Sequence, residues 1–174
     1  MEQKFIMTAF AEERPGIVAD VMQVIYEHGC NLEDSTMTRL EDEFAMIFLC
    51  SGHGEKLEEQ LSKACRRLER EKGISVFLRR VEPHQAKHEK TFSTRTLHVE
   101  GVDQAGIMYK MSKYLAEQHV NIANLSSRLT LSPQSGTAMY TIEMHTEIPE
   151  GTALDELRRG LTHIANELHV DITF

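Results

Sequence analysis

The chain repeats itself once, and that limits what it can fold into more than any other feature. Residues 12–32 read EERPGIVADVMQVIYEHGCNL and residues 102–122 read VDQAGIMYKMSKYLAEQHVNI. An offset of 90 pairs Gly16 with Gly106, Ile17 with Ile107 and Asn31 with Asn121. It also pairs Val18, Val21, Val24 and Ile25 with Met108, Met111, Tyr114 and Leu115, so one helical face recurs between the same glycine and asparagine. Further on, Ala45 and Met46 match Ala138 and Met139 at an offset of 93, and Leu61, Cys65, Leu68 and Val76 match Leu157, Leu161, Ile164 and Ile172 at 96. These steps predict two short insertions in the second copy. One falls in the turn-forming stretch 132–136 and one near 149–151, where extra residues cost little. The 174 residues are therefore expected to form two small domains, 1–82 and 92–174, joined by a polar linker at 83–91.

Within each copy the hydrophobic period changes in a fixed order. Residues 5–10 read as a strand and Pro15 suits the opening turn of a helix. Ile17, Val18, Val21, Val24 and Ile25 then keep helical spacing up to Gly29. Segments 32–40 and 44–50 read as a hairpin across the polar link Glu41-Asp42-Glu43. A helix is expected over 54–71 and a last strand over 74–81. The second copy repeats this as strands 94–100, 121–131, 137–146 and 170–174 and helices 105–118 and 152–168. Right-handed crossovers then place both helices on one face of a four-stranded antiparallel sheet. The fold class is α+β, two ferredoxin-like βαββαβ domains. Residues 44–50, FAMIFLC, are apolar throughout, so the sheet face opposite the helices carries apolar side chains that need cover. The sister domain or a second chain in a homodimer would supply it.

Composition narrows the function classes. The net charge is -8, which opposes direct binding to nucleic acid. The basic steps at Arg66-Arg67 and Arg79-Arg80 lie beside acidic residues and read as solvated faces. No run of 18 apolar residues predicts a membrane span, and the opening MEQKFIMTAF lacks the pattern of a signal peptide. Cys30, Cys50 and Cys65 form no CxxC pair and read as small core hydrophobes. A cytoplasmic location is the expectation. Neither HExxH, GxSxG nor a P-loop occurs. His84 and His88 fall in the linker, Ser35 and Ser126 have no paired base in reach, and Met108, Met111, Met139 and Met144 suit packing. No enzyme, cofactor or metal site is expected.

The repeated strand-to-helix joint offers the one recurrent constellation, Glu13-Arg14-Pro15-Gly16-Ile17 and Asp103-Gln104-Ala105-Gly106-Ile107. A glycine there lets a ligand approach the backbone, and first-turn N–H groups attract a carboxylate. Glu13 or Asp103 could hold an ammonium group, so a zwitterionic amino acid complements the joint. The alternative is that Gly16 and Gly106 only permit a tight turn. Asn31 and Asn121 open the next strand and could offer a donor and an acceptor, or close a local turn.

The run Glu13-Arg14-Pro15-Gly16-Ile17-Val18, followed by Gly29-Cys30-Asn31-Leu32-Glu33-Asp34-Ser35, resembles the signature of ACT domains. The family's commonest loop has aspartate before Arg-Pro-Gly, where this chain has Glu13, and the second copy has Gln104-Ala105 for Arg-Pro. The resemblance implies a βαββαβ fold and a small effector, such as an amino acid, bound at an interface between domains. Gly16 and its neighbours would form the loop that meets the ligand, and Asn31 would border it. Asp103, Gly106, Ile107 and Asn121 would be the second copy's equivalents. Two such domains in one chain resemble transcription-regulating members of the family. This implies a repressor-like role in which glycine is the effector and a DNA-binding activator is the protein partner. The competing reading is an interaction module with no effector.

Overall fold

The computed structural model describes residues 2–82 and 91–174. The expected linker lies outside the described residues but for Thr91, and so do His84 and His88. The chain divides into two compact units, Met1–Gln85 and Ala86–Phe174. The first contains β1 (Glu2–Glu12), α1 (Ile17–Glu27), β2 (Asn31–Leu40), β3 (Glu43–His53), α2 (Leu57–Lys72) and β4 (Ser75–Val81). The second contains β5 (Phe92–Val102), α3 (Ile107–Glu117), β6 (Asn121–Leu131), β7 (Ala138–Pro149), α4 (Leu154–Leu168) and β8 (Val170–Thr173). The sheet orders are β2-β3-β1-β4 and β6-β7-β5-β8, and every pairing is antiparallel. This is the expected ferredoxin-like arrangement in each unit.

Strand alternation explains where the cores sit. In β1, Phe5, Met7, Ala9 and Ala11 are buried, and across the ladder so are Phe44, Met46, Phe48 and Cys50 of β3. Helix α1 meets them with Ile17, Val21, Val24 and Ile25, and α2 with Leu57, Leu61, Ala64, Cys65 and Leu68. Both sets follow a one-sided helical stripe. The second unit packs Leu97, Val99, Ile142 and Met144 against Ile107, Met111, Leu115, Leu157, Leu161 and Leu168. Met111 and Met144 are fully buried and Met108 packs at the edge of that core.

The ladders correct one element of the sequence alignment. Met46 lies opposite Ala9, while Ile142 lies opposite Val99, the repeat of Ala9. Strand β7 therefore follows β3 at an offset of 96, not 93. All six extra residues fall in the β6–β7 hairpin, four in its connection and one at the adjoining end of each strand, and none precedes α4. The Ala-Met dipeptide recurs by coincidence, three positions out of register. Pro15 likewise sits in the turn before α1, and Gly16 takes the N-cap position.

Candidate functional site: the two strand-to-helix joints

Each joint is built around a residue that only glycine suits. Gly16 has φ 86° and Gly106 has φ 99°, a region in which a side chain costs about 1–2 kcal/mol. The same conformation aims the first turn of the helix away from the strand. Neither α1 nor α3 has a side-chain cap on its N-terminal amides, which leaves first-turn donors for water or a ligand. The space beside the glycines is open. A Cβ at Gly16 would meet nothing closer than Arg14 Nη1 at 4.0 Å, and one at Gly106 would meet nothing within 4 Å. Ile17 and Ile107 are buried in their cores, so only their backbone faces the joint.

The side chains of the first joint are organised by ion pairs. Arg39 of β2 donates to both carboxylate oxygens of Glu13, at 3.2 and 3.0 Å. Arg14 donates to Asp20 Oδ2 at 2.6 Å, and Lys72 stands 3.7 Å from Asp20 Oδ1. The Arg14 guanidinium holds the Asp20 carboxyl below the usual aspartate range. Pro15 is exposed, and Arg14 Nη1 also reaches its carbonyl at 3.3 Å. In the second joint the amide of Gln104 donates instead to the Leu168 carbonyl at the end of α4. The backbone N–H of Asp103 donates to Ala138 at 3.0 Å. The two loops thus share a backbone and differ in charge, since Arg14 has no cationic counterpart at Gln104.

The asparagines lie elsewhere. Asn31 is level with Ser51 and Lys4, whereas Gly16 follows Glu12. The two are at opposite ends of β1, roughly 25 Å apart at about 3.3 Å per residue. Asn121 is level with Glu147 and Thr94, and its Nδ2 donates to Glu147 at 2.8 Å. Within one domain, then, the structure brings Glu13, Arg14, Pro15, Gly16 and Ile17 together, and Asp103, Gly106 and Ile107 together. It does not bring Asn31 or Asn121 to either group.

Two features near these residues escape sequence reading. Both asparagine strands carry a bulge at the repeated position, between Leu32 and Asp34 and between Ile122 and Asn124. Bulges re-aim side chains at edges and binding sites, and no composition signal marks them here. The partners Arg39 and Asp20 are the other omission. The i+6 spacing of Arg14 and Asp20 crosses a turn, and Arg39 reaches Glu13 only through the hairpin. The thiols are not reactive candidates. All three are free, and burial pushes Cys50 up to about 12 and Cys65 up to about 11.

A sequence model of the ACT domain matches residues 3–79. The UPF0237 protein MK1213 of Methanopyrus kandleri is 35% identical over 88 residues, spanning 48% of this chain and 93% of that protein. The chain belongs to the ACT-domain family. The glycine cleavage system transcriptional repressor of Escherichia coli is 26% identical over 167 residues, 94% of this chain and 85% of its own length. A crystal structure of a protein of unknown role from Galdieria sulphuraria superposes with a TM-score of 0.79 at 26% identity, covering 99% and 97% of the two chains. ACT-domain kinship with a repressor gives this chain a regulatory, effector-binding role in general terms and a non-catalytic one. Among the described residues no group of three or more His, Cys, Asp or Glu side chains is placed to hold a metal ion, and no helix is long and apolar enough to cross a membrane.

Proposed function

We propose that this tandem ACT protein is a cytoplasmic regulator of transcription that binds an amino acid, glycine first among candidates, at its strand-to-helix joints or where two domains meet there. The modules are residues 1–82 and 92–174, joined by 83–91. Glu13, Arg14, Pro15, Gly16, Ile17, Asp103, Gly106 and Ile107 line the joints. Asn31 and Asn121 act only across a domain or dimer interface. The effector state is passed to a protein partner, a DNA-binding activator, and the chain itself does not read DNA.

The observation that carries this reading is the pairing of an uncapped helix start with open space beside its glycine, twice in one chain. Such a mouth accepts a carboxylate at backbone N–H groups, while Glu13 or Asp103 is at hand for the ammonium. The full-length likeness to a glycine cleavage system transcriptional repressor supports the choice of glycine and of a transcriptional partner. The acidic net charge of -8 supports control through protein contact over DNA contact. Calorimetry of the full chain against glycine, serine and a wider amino-acid panel tests the reading. Saturable heat is expected for at least one small amino acid, with no shift of DNA mobility by the chain alone. A silent panel would leave an effector-independent interaction module in its place.

A further inference from the structure

The helix layers of the two domains differ at one place where the repeat allows a strict comparison. Helices α1 and α3 correspond at an offset of 90. Helices α2 and α4 correspond at 96, fixed by the left-handed residues that end them, Gly73 and His169, and by the ladder pairs Ala9–Val76 and Val99–Ile172. Val24 therefore corresponds to Tyr114 and Ala64 to Gly160. In the second domain the phenol of Tyr114 lies across α4, and its hydroxyl donates to the Glu156 carbonyl at 3.3 Å. A Cβ at Gly160 would run into that ring and its hydroxyl, so glycine there makes room for the tyrosine. The second domain carries its own plug between the helices.

The first domain has no such plug. Val24 and Ala64, with Leu68, floor a cavity of about 220 Å³ between α1 and α2. Its rim carries both signs of charge: Asp20, Glu27 and Glu71 against Arg67 and Lys72. The rim pairs are loose. Arg67 stands 3.3 Å from Glu27 and Lys72 3.7 Å from Asp20, whereas Arg14 meets Asp20 at 2.6 Å. Asp20 is also the most enclosed of these acids, its side chain 17% exposed. An apolar floor ringed by weakly paired cations and anions, which can exchange partners, complements a solute with an apolar tail and a dipolar head.

From this contrast we infer that the groove between α1 and α2 of the first domain is a second ligand site, one that takes a zwitterionic amino acid with an apolar side chain. The side chain lies over Val24, Ala64 and Leu68. The carboxylate meets Arg67 and Lys72, and the ammonium meets Asp20 with Glu27 or Glu71. The site is independent of the strand-to-helix joint, sharing with it only the anchor Asp20.

The test uses the full chain with labelled methyl groups and L-leucine as probe. Saturable shifts are expected at Val24 and Ala64. Binding should weaken at least tenfold for 4-methylpentanoate and for isopentylamine, which each lack one charge of the head. The double variant Val24→Tyr, Ala64→Gly transplants the second domain's plug and should weaken leucine at least tenfold. Should that variant fail to fold, Arg67→Glu is expected to produce the same loss. Leucine that binds without moving the Val24 and Ala64 methyls overturns the site, as does no binding at all, or affinity unchanged in the folded plugged variant or in Arg67→Glu. The plugged variant also separates the two readings, because it leaves Gly16 and its loop untouched. It should lose leucine and keep the glycine heat of the unaltered chain. Leucine retained in the folded plugged variant would overturn the groove and assign the ligand to the joint.

Discussion

The sheets of the two domains share a topology and carry opposite chemistry on the face away from the helices. In the first, Ile6, Phe10, Ala45, Ile47, Leu49 and Phe77 line that face, with Phe10 43%, Ile47 45% and Phe77 68% exposed. The rings of Phe10 and Phe77 meet edge to face at 6.1 Å. In the second, the corresponding rows hold His98, Glu100, Glu143, His145 and Arg128, and Glu143 stands between His98 at 3.5 Å and His145 at 3.2 Å. The helix-facing rows stayed apolar in both, because each domain must bury a core of its own to persist. Duplication therefore left the cores alike, while the open faces, the joints and the helix groove diverged.

The largest effects should come from the shared cores. Met7 and Leu97 occupy corresponding positions and are both buried. Met7→Ala and Leu97→Ala should each cost about 2–5 kcal/mol, confined to the domain that carries the change. Hydrogen exchange resolved by strand would show this, and equal loss in both domains from either change would mean that the two are one cooperative unit. A smaller cost is expected at the joints. Gly16→Val and Gly106→Val place a β-branched residue at positive φ, for about 1–2 kcal/mol each in chemical denaturation. If the charged first joint is the better ligand site, Gly16→Val should also remove more effector heat than Gly106→Val. The reverse order would make Arg14 and its ion pairs irrelevant to binding.

The smallest effect concerns acid. Arg14 depresses the Asp20 carboxyl, and Lys110 does the same to Glu167 at 2.5 Å in the second domain. A carboxyl lowered by folding stabilises the fold above its ordinary titration range, and that contribution is lost as pH falls through the depressed value. Arg14→Ala should therefore trim first-domain stability at neutral pH and leave it unchanged in strong acid. Lys110→Ala should do so in the second domain. A loss that persists below the carboxylate range would point to packing of the Arg14 stem in place of charge.

Much of this was legible from the residues because period and repeat agreed. Ile17, Val21, Val24 and Ile25 give a helical stripe in one copy, and Ile107, Met111 and Leu115 confirm it in the other. Gly16 and Gly106 mark the joints because a positive φ leaves glycine as the natural residue. What failed was register. Ala45-Met46 and Ala138-Met139 match as letters, but only backbone pairing shows that β7 has slid three places from that alignment. The separation of Asn31 from Gly16 was hidden for a similar reason. Both flank one helix in sequence, and α1 carries the chain back along the length of β1 between them. The groove at Val24 and Ala64 was beyond sequence reading altogether, since it follows from a crossing of two helices. The Tyr114–Gly160 pair that fills its counterpart shows the meaning of those two positions only once the helices are in place.

Amide hydrogen exchange of the full chain with and without saturating glycine tests the account most directly. Exchange at residues 18–19 and 107–109 reports on the backbone donors at the two helix starts, since Asp20 and Lys110 already donate to Gly16 and Gly106. Slower exchange there on adding glycine, with the rest of each helix unchanged, is the predicted result. Bound glycine that leaves those amides untouched would contradict it.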